Sequence, residues 1–557
     1  MNIEDPRSLD PRSIYGKSQV VERQVQLVVV GGGVAGIAAA TEASRAGVET
    51  LLIDENPIDM NMMALDVPLY FGQRILPTVR DRASMLQRVV SSSEGLEEAE
   101  EAGVELMLGH YVWGAFRNSK NVRELSGSMV GVADDERTWC IGYERLIVAS
   151  GARDMGMAFG GWEKVGTMGA NGAWSLMGRY QALTAQRVVI LGSGNVGLRV
   201  AEMAMERGME VVGVVEVGPE VLGDGGLREK VEGRGVKIYT AHTVKGAIGS
   251  GEEIEGLEIV EVGGDLKPVG GSEKRLECDT VVLSLGLVPN IELLNLLGVD
   301  LPFRSERGGY APEVDEWMRT SVPSVYVCGD AAGFEDGMVL DESIAREQGR
   351  LAGIAAAESL GTVDSARARE VRGELGLLNE WMKNTHREVH SHYRRWLVSL
   401  LNVEGWGVYT CQCEEVTRRE LADVQPPRYL EWESEQMSGR SLKTLVGDGP
   451  VNQDQIKRLT RVGMGYCQGR RCREQAALLL AEESGIDVSE IPLPTYRAPV
   501  RPLPLRVMYA DDESQETRDN WTGWFGIRSQ WTQSERQGGW GEGDRRAMGL
   551  GRTGGVL

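Results

Sequence analysis

The chain has 557 residues, and 82 acidic side chains outnumber 60 basic ones for a formal net charge of -22. That excess makes phosphate backbones and anionic lipid unfavourable partners, so nucleic acid and membrane surfaces fall away as default ligands. At about 150 residues per domain the length suggests three or four domains, and 72 glycines call for many tight turns.

The chain opens on a charged, proline-bearing leader, residues 1–24, unlike a secretory signal. The longest apolar run, residues 27–40, holds four glycines and falls short of the roughly 20 residues that cross a bilayer. No transmembrane segment and a cytoplasmic, reducing location are expected. A valine-rich strand over residues 25–30 then runs into Gly31-Gly32-Gly33-Val34-Ala35-Gly36, an alanine-rich helix and a second strand at 48–53. The pattern returns at 187–191, with Gly192-Ser193-Gly194-Asn195-Val196-Gly197, a helix to Arg207 and a strand at 210–215. Short strands at 146–149 and 280–285 fit interleaved nucleotide-binding domains, giving an α/β reading with two Rossmann-like units.

The expected boundaries are 25–180 with 281–365 for the first unit, 181–280 for the second, and 366–405 for a helical connector carrying Trp381, Tyr393 and Trp396. A cysteine-bearing domain follows at 406–505, closed by a proline-rich segment, and an extension at 506–557. Trp521, Trp524, Trp531 and Trp540 leave that extension open between a free tail and an arm that wraps a neighbour.

In the first unit Gly31 allows the tight turn, Gly33 the approach of a pyrophosphate, and Gly36 close packing of helix on strand. Asp54 lies at the end of the second strand, 23 residues past Gly31, where a carboxylate binds ribose hydroxyls; Glu55 competes with it. The second unit offers Gly192, Gly194 and Gly197, with Glu216 at its strand end. An acid there favours NAD over NADP, and another adenine nucleotide or vacancy stays open.

Ala149-Ser150-Gly151, the turn Gly286-Leu287-Val288-Pro289-Asn290 and Val327-Cys328-Gly329-Asp330 complete the pattern. With the two glycine motifs they resemble the two-dinucleotide-domain flavoprotein disulfide reductases. The resemblance implies FAD in the first unit, with Asp330 on the ribityl chain. The redox Cys-x-x-Cys of those enzymes is missing, since no cysteine precedes Cys140. Dithiol chemistry is therefore not expected, and Cys140, Cys278 and Cys328 read as small buried hydrophobes.

Cys411, Cys413, Cys467 and Cys472 cluster, and four thiolates suit either zinc or a [2Fe-2S] cluster. Six basic and no acidic residues lie between Lys457 and Arg473, a field that favours deprotonated thiols. Residues 410–417 (TCQCEEVT), 456–461 (IKRLTR) and 463–472 (GMGYCQGRRC) resemble the cluster-binding C-terminal domain of amine and amino-acid dehydrogenase alpha subunits. That family includes opine, D-hydroxyproline and L-proline dehydrogenases, hydrogen cyanide synthase and heterotetrameric sarcosine oxidase.

The resemblance implies a [2Fe-2S] cluster on the four cysteines and an electron-relaying role beside an FAD-containing, amino-acid-oxidase-like beta subunit. It leaves room for an FMN at the subunit interface and for a small third subunit. Two departures stand out: extra residues around 425–449 between the cysteine pairs, and a lone Gly72-Gln73 near the flavin where relatives carry Gly-Gly-Gln. Among residues 60–74 the methionines read as packed core or a soft docking surface. His386, His390 and His392 read as a polar helix face rather than a metal site. No residue is nominated as catalytic. A self-contained NADH-dependent acceptor reductase is the enzyme alternative, and a scaffold with vestigial sites the non-catalytic one.

Overall fold

A computed structural model describes residues 21–58, 74–119, 125–339, 341–381, 389–403, 405–426 and 439–508. Residues 1–20 of the leader, residues 60–73, His386, the tail tryptophans and much of the 425–449 segment lie outside the described residues, while residues 21–24, expected in the leader, open the first strand. Residues 21–117 and 127–507 make one compact unit. In the other, Asn118 and Leu125 exchange hydrogen bonds of 2.8 and 2.9 Å that close a short turn.

The first sheet is built on Val21–Val30, which pairs in parallel with Thr50–Asp54 on one side and Thr138–Val148 on the other. Glu105–Leu108 extends it beyond Thr50–Asp54, and Val325–Val327 pairs in parallel with Thr138–Val148. Met129–Ala133 and Tyr111–Phe116 add an antiparallel layer. The valine run is apolar without alternation because both of its faces are covered. Leu27 and Val29 point into a core made with the helices Val34–Arg45 and Ser343–Leu360, whereas Val28 and Val30 point into one made with the antiparallel layer. The two helices cross so closely that a Cβ on Gly349 would lie 2.0 Å from the Ala35 carbonyl oxygen.

The second sheet is wholly parallel, in the order Ile238–Tyr239, Glu210–Val215, Arg187–Leu191, Thr280–Leu283, Thr167–Gly169. The helices Asn195–Glu206 and Ala170–Met177 pack against it. The chain leaves the first sheet through Ala152–Asp154 and returns through Leu287–Pro289, and these two crossings pair antiparallel.

The region after residue 389 has no core of its own. His390–Asn402, Arg418–Ala422 and Arg473–Ser484 bury Trp396, Leu400, Leu421, Leu478 and Leu479 in the same cluster as Val189, Leu191, Val281 and Leu283 of the second sheet. Each large apolar side chain buried this way contributes about 1.5–3 kcal/mol. The hairpin Tyr409–Cys411 with Val416–Thr417 is held by a capping box, in which Thr417 and Glu420 satisfy each other's backbone N–H groups at the start of Arg418–Ala422. Among the described residues no helix is long and apolar enough to cross a membrane.

Candidate cofactor sites

Three loops meet at the carboxyl ends of adjacent parallel strands in the first sheet, where ligands of such sheets bind. Gly31 has φ +111°, and a Cβ there would lie 2.1 Å from the Ala149 carbonyl oxygen, so no other residue fits the turn. Gly36 packs back on the Gly31 carbonyl oxygen. Gly33 caps the Val34–Arg45 helix and faces open space, since a Cβ there would meet nothing within 4 Å. Asp54 accepts from the Gly32 N–H at 2.6 Å and from the Asn56 N–H at 2.8 Å, which holds its carboxylate at the loop. Glu55 instead pairs with Arg501 at 2.9 Å. The two acids that the sequence leaves in competition are thus separated, with Asp54 at the glycine loop.

The third loop brings Gly329 against Ala35, and the Gly329 N–H donates to Gln348 Oε1 at 2.8 Å. Asp330 follows, half-buried, its carboxyl pushed up to about 6 by burial and then by the charge of Glu342. Gly151 is fastened to the 286–290 turn by the Asn290 N–H, which donates to its carbonyl at 3.0 Å.

The second glycine loop repeats the backbone of the first. Gly192 has φ +101°, and its Cβ would lie 2.1 Å from the Ser284 carbonyl oxygen; Gly197 packs on the Gly192 carbonyl oxygen. Glu216 stands in the register of Asp54, accepting from the Ser193 N–H at 3.0 Å as Asp54 accepts from Gly32.

The two cysteine segments come together, the 463–472 loop lying on the 411–413 hairpin. The four thiols shift one another's titration, Cys411 and Cys472 acting most on each other, as do Cys413 and Cys467. The neighbouring Cys413 thiol holds the Cys467 thiol down to about 5 against burial, helped by the Arg471 and Gly469 N–H groups and the Arg471 charge, and the same interaction pushes Cys413 up. Cys411 is lowered by the neighbouring Cys472 thiol and by the Gly463 N–H, which lies 3.5 Å from its sulfur. Gly465 lets the second loop lie on the first, since a Cβ there would sit 2.3 Å from the Cβ of Cys413. Among the described residues no three His, Cys, Asp or Glu side chains converge on a single-ion site.

The basic field read from the sequence is largely spoken for. Arg461 pairs with Glu414 at 2.7 Å, and Arg473 with Glu292 at 3.2 Å and Glu474 at 2.6 Å. Arg471 acts on the thiols directly. Arg153, on the crossing strand, closes a buried network with Glu292 at 2.9 Å and Glu474 at 2.5 Å. Residues 155–162 are clasped as well: Gln475 accepts from the Ala158 N–H at 3.0 Å and the Trp162 indole donates to the Tyr409 carbonyl at 2.9 Å. Buried Arg418 donates to the Ala158 and Gly405 carbonyls, and burial lowers it to about 9. The sequence marks none of Arg153, Glu292, Arg418, Glu474 and Gln475, because a lone Arg, Glu or Gln carries no spacing signal.

Cys140, Cys278 and Cys328 are buried as expected, and burial raises their thiols to about 11, 12 and 12. The histidines depart from the expected polar face. His390 is buried against Phe303 and Tyr393, while His392 accepts from the Trp396 indole at 3.1 Å with its Nδ1 3.8 Å from Glu216.

Residues 25–361 match the pyridine nucleotide-disulphide oxidoreductase family, more than half of the chain, and the chain belongs to that family. It is a flavin-dependent oxidoreductase, related to the alpha subunits of opine and sarcosine oxidases. Residues 434–512 match the sarcosine oxidase A3 domain. The chain is similar to an opine oxidase subunit of Agrobacterium tumefaciens, 25% identical over 499 residues that cover 86% of this chain and 90% of that one. It is also similar to hydrogen cyanide synthase subunit HcnB of Pseudomonas protegens, 24% identical over 511 residues, with 88% and 99% covered. Among solved structures, L-proline dehydrogenase from P. horikoshii shares the fold with a TM-score of 0.57 at 20% identity, over 88% of this chain and 81% of that one.

Proposed function

We propose that this chain is the electron-relaying subunit of a heteromeric amine or amino-acid dehydrogenase, working in the cytoplasm beside a flavin-containing, amino-acid-oxidase-like partner. In this reading Gly31, Gly33, Gly36 and Asp54 hold the dinucleotide part of FAD, with Gly151, Gly329 and Asp330 along the rest of it. The open space over Gly33 fits a pyrophosphate, and the helix it caps offers N–H groups to an anion. Residues 25–180 and 281–365 form the flavin domain, and 406–505 the cluster-binding region. The relatives named as subunits of opine oxidase and hydrogen cyanide synthase support a multisubunit assembly and an amine-type donor.

The observation that carries the reading is the gathering of Cys411, Cys413, Cys467 and Cys472 where the 463–472 loop lies on the 411–413 hairpin. The Gly463 N–H already lies 3.5 Å from the Cys411 sulfur, and N–H donors of that kind stabilise an anionic [2Fe-2S] cluster. When bound, FAD takes up two electrons and a [2Fe-2S] cluster passes them singly. The chain's own task is to keep the four sulfurs buried, to donate hydrogen bonds to them, and to hold their loops against residues 153–162. An FMN at the partner interface and a small third subunit are compatible additions.

The test is the visible spectrum of the anaerobically purified chain with flavin and iron assayed on the same sample. About two irons per chain and one flavin are expected, and Cys467→Ser should lose the iron and its absorbance while keeping the flavin. A chain that purifies without iron, or whose iron survives that substitution, would overturn the assignment.

A further inference from the structure

The second glycine loop has the backbone of a nucleotide site and an occupant from its own chain. In such a site the pyrophosphate lies over the middle glycine against the first N–H groups of the helix, and the strand-end acid takes the ribose hydroxyls. Here the Asn195 N–H, the first of the Asn195–Glu206 helix, donates to Asp336 Oδ2 at 3.0 Å. A Cβ on Gly194 would lie 3.2 Å from Asp336 Oδ1, whereas one on Gly33, the matching cap of the first unit, would meet nothing within 4 Å.

Asp336 is itself fastened, its carbonyl accepting from Asn195 Nδ2 at 3.1 Å while Asn195 Oδ1 accepts from the Asp224 N–H at 2.8 Å. The acid is engaged too. Glu216 is 0% exposed, with Oε2 on the Ser193 N–H and hydroxyl at 3.0 and 2.7 Å and Oε1 on the Gly218 N–H at 2.8 Å. Asp54 of the first unit, by contrast, is half-buried.

We propose that the Asp336 carboxylate stands in for the pyrophosphate of the second unit and closes that unit to NAD(H) and to other adenine nucleotides. A helix N-terminus attracts one anion, and a carboxylate held there by the Asn195 N–H both fills the position and repels a second negative group. A nucleotide can enter only if residues 336–339 leave and Glu216 is uncovered. The second unit then serves as a packing platform for the cysteine-bearing region, whose core it shares. Closure of the second unit does not depend on a bound cluster, and it disfavours the NADH-dependent acceptor reductase.

Calorimetric titration of the whole chain with ADP and with NADH tests this, with flavin and iron contents recorded on each sample so that cofactor loss is read separately. The parent is expected to show no saturable binding. Asp336→Ala should gain affinity by about 10-fold or more over the parent's limit, the scale of a removed like-charge contact. Asp336→Asn keeps the shape and loses the charge; it should gain less than Asp336→Ala, and it carries the test if the alanine variant does not fold. Saturable micromolar binding of either probe to the parent, or no gain in either folded variant, would overturn the proposal.

Discussion

At the scale of single residues, the clearest consequence of burial is at Asp154. Its Oδ1 accepts from the Asn171 N–H at 2.8 Å, while Oδ2 is buried against Gly169 without a hydrogen-bond partner. Burial raises this carboxyl from 3.8 to about 7. The folded chain therefore holds a proton that the unfolded chain has released, so stability falls as pH rises from about 4 to about 7 and is level above that. Asp154→Asn removes the slope at this site. In urea titrations the variant should exceed the parent by up to a few kcal/mol at pH 8, and the gap should close toward pH 4. A gap independent of pH would show that Asp154 is ionised throughout.

At the scale of elements, the cysteine loops are held in place by the helix Arg473–Ser484 and its ion network. Arg473 is 1% exposed and Arg153 3% exposed by side chain, and each contacts both Glu292 and Glu474. A buried charge that loses its partner is strongly destabilising. Arg153→Met should cost about 3–5 kcal/mol in chemical denaturation, against 0–1 kcal/mol for an exposed pair such as Arg367 with Glu370. A loss at the lower figure would mean that water reaches the network. Much of this level was legible beforehand. Both strand, glycine-turn, helix units form where their motifs lie, because an apolar run followed by closely spaced glycines has few other ways to fold. The Arg153 network was not legible, since its members stand 139 and 321 residues apart in pairs that no local pattern joins.

At the scale of the whole molecule, the cysteine-bearing region and the second sheet share one hydrophobic cluster, so neither can unfold without exposing the other. A calorimetric scan should give a single transition for the second unit and the cysteine region. A separate early transition that tracks iron loss would show that the region is an independent domain. The same packing explains a second unit that keeps its fold while Asp336 covers its anion position: its strands are retained for the surface they offer.

From the sequence alone come the two Rossmann-like units, the absence of a redox Cys-x-x-Cys, and the four clustered cysteines, because each rests on residue type and local spacing. Only the tertiary structure decided that the 463–472 loop lies on the 411–413 hairpin, and that Asp54 rather than Glu55 faces the first loop. It also decided that Glu216 is sealed and that Asp336 covers the second loop. The reason is physical: whether a glycine loop is open depends on what the rest of the chain folds against it, and Asp336 lies 141 residues beyond the helix it caps.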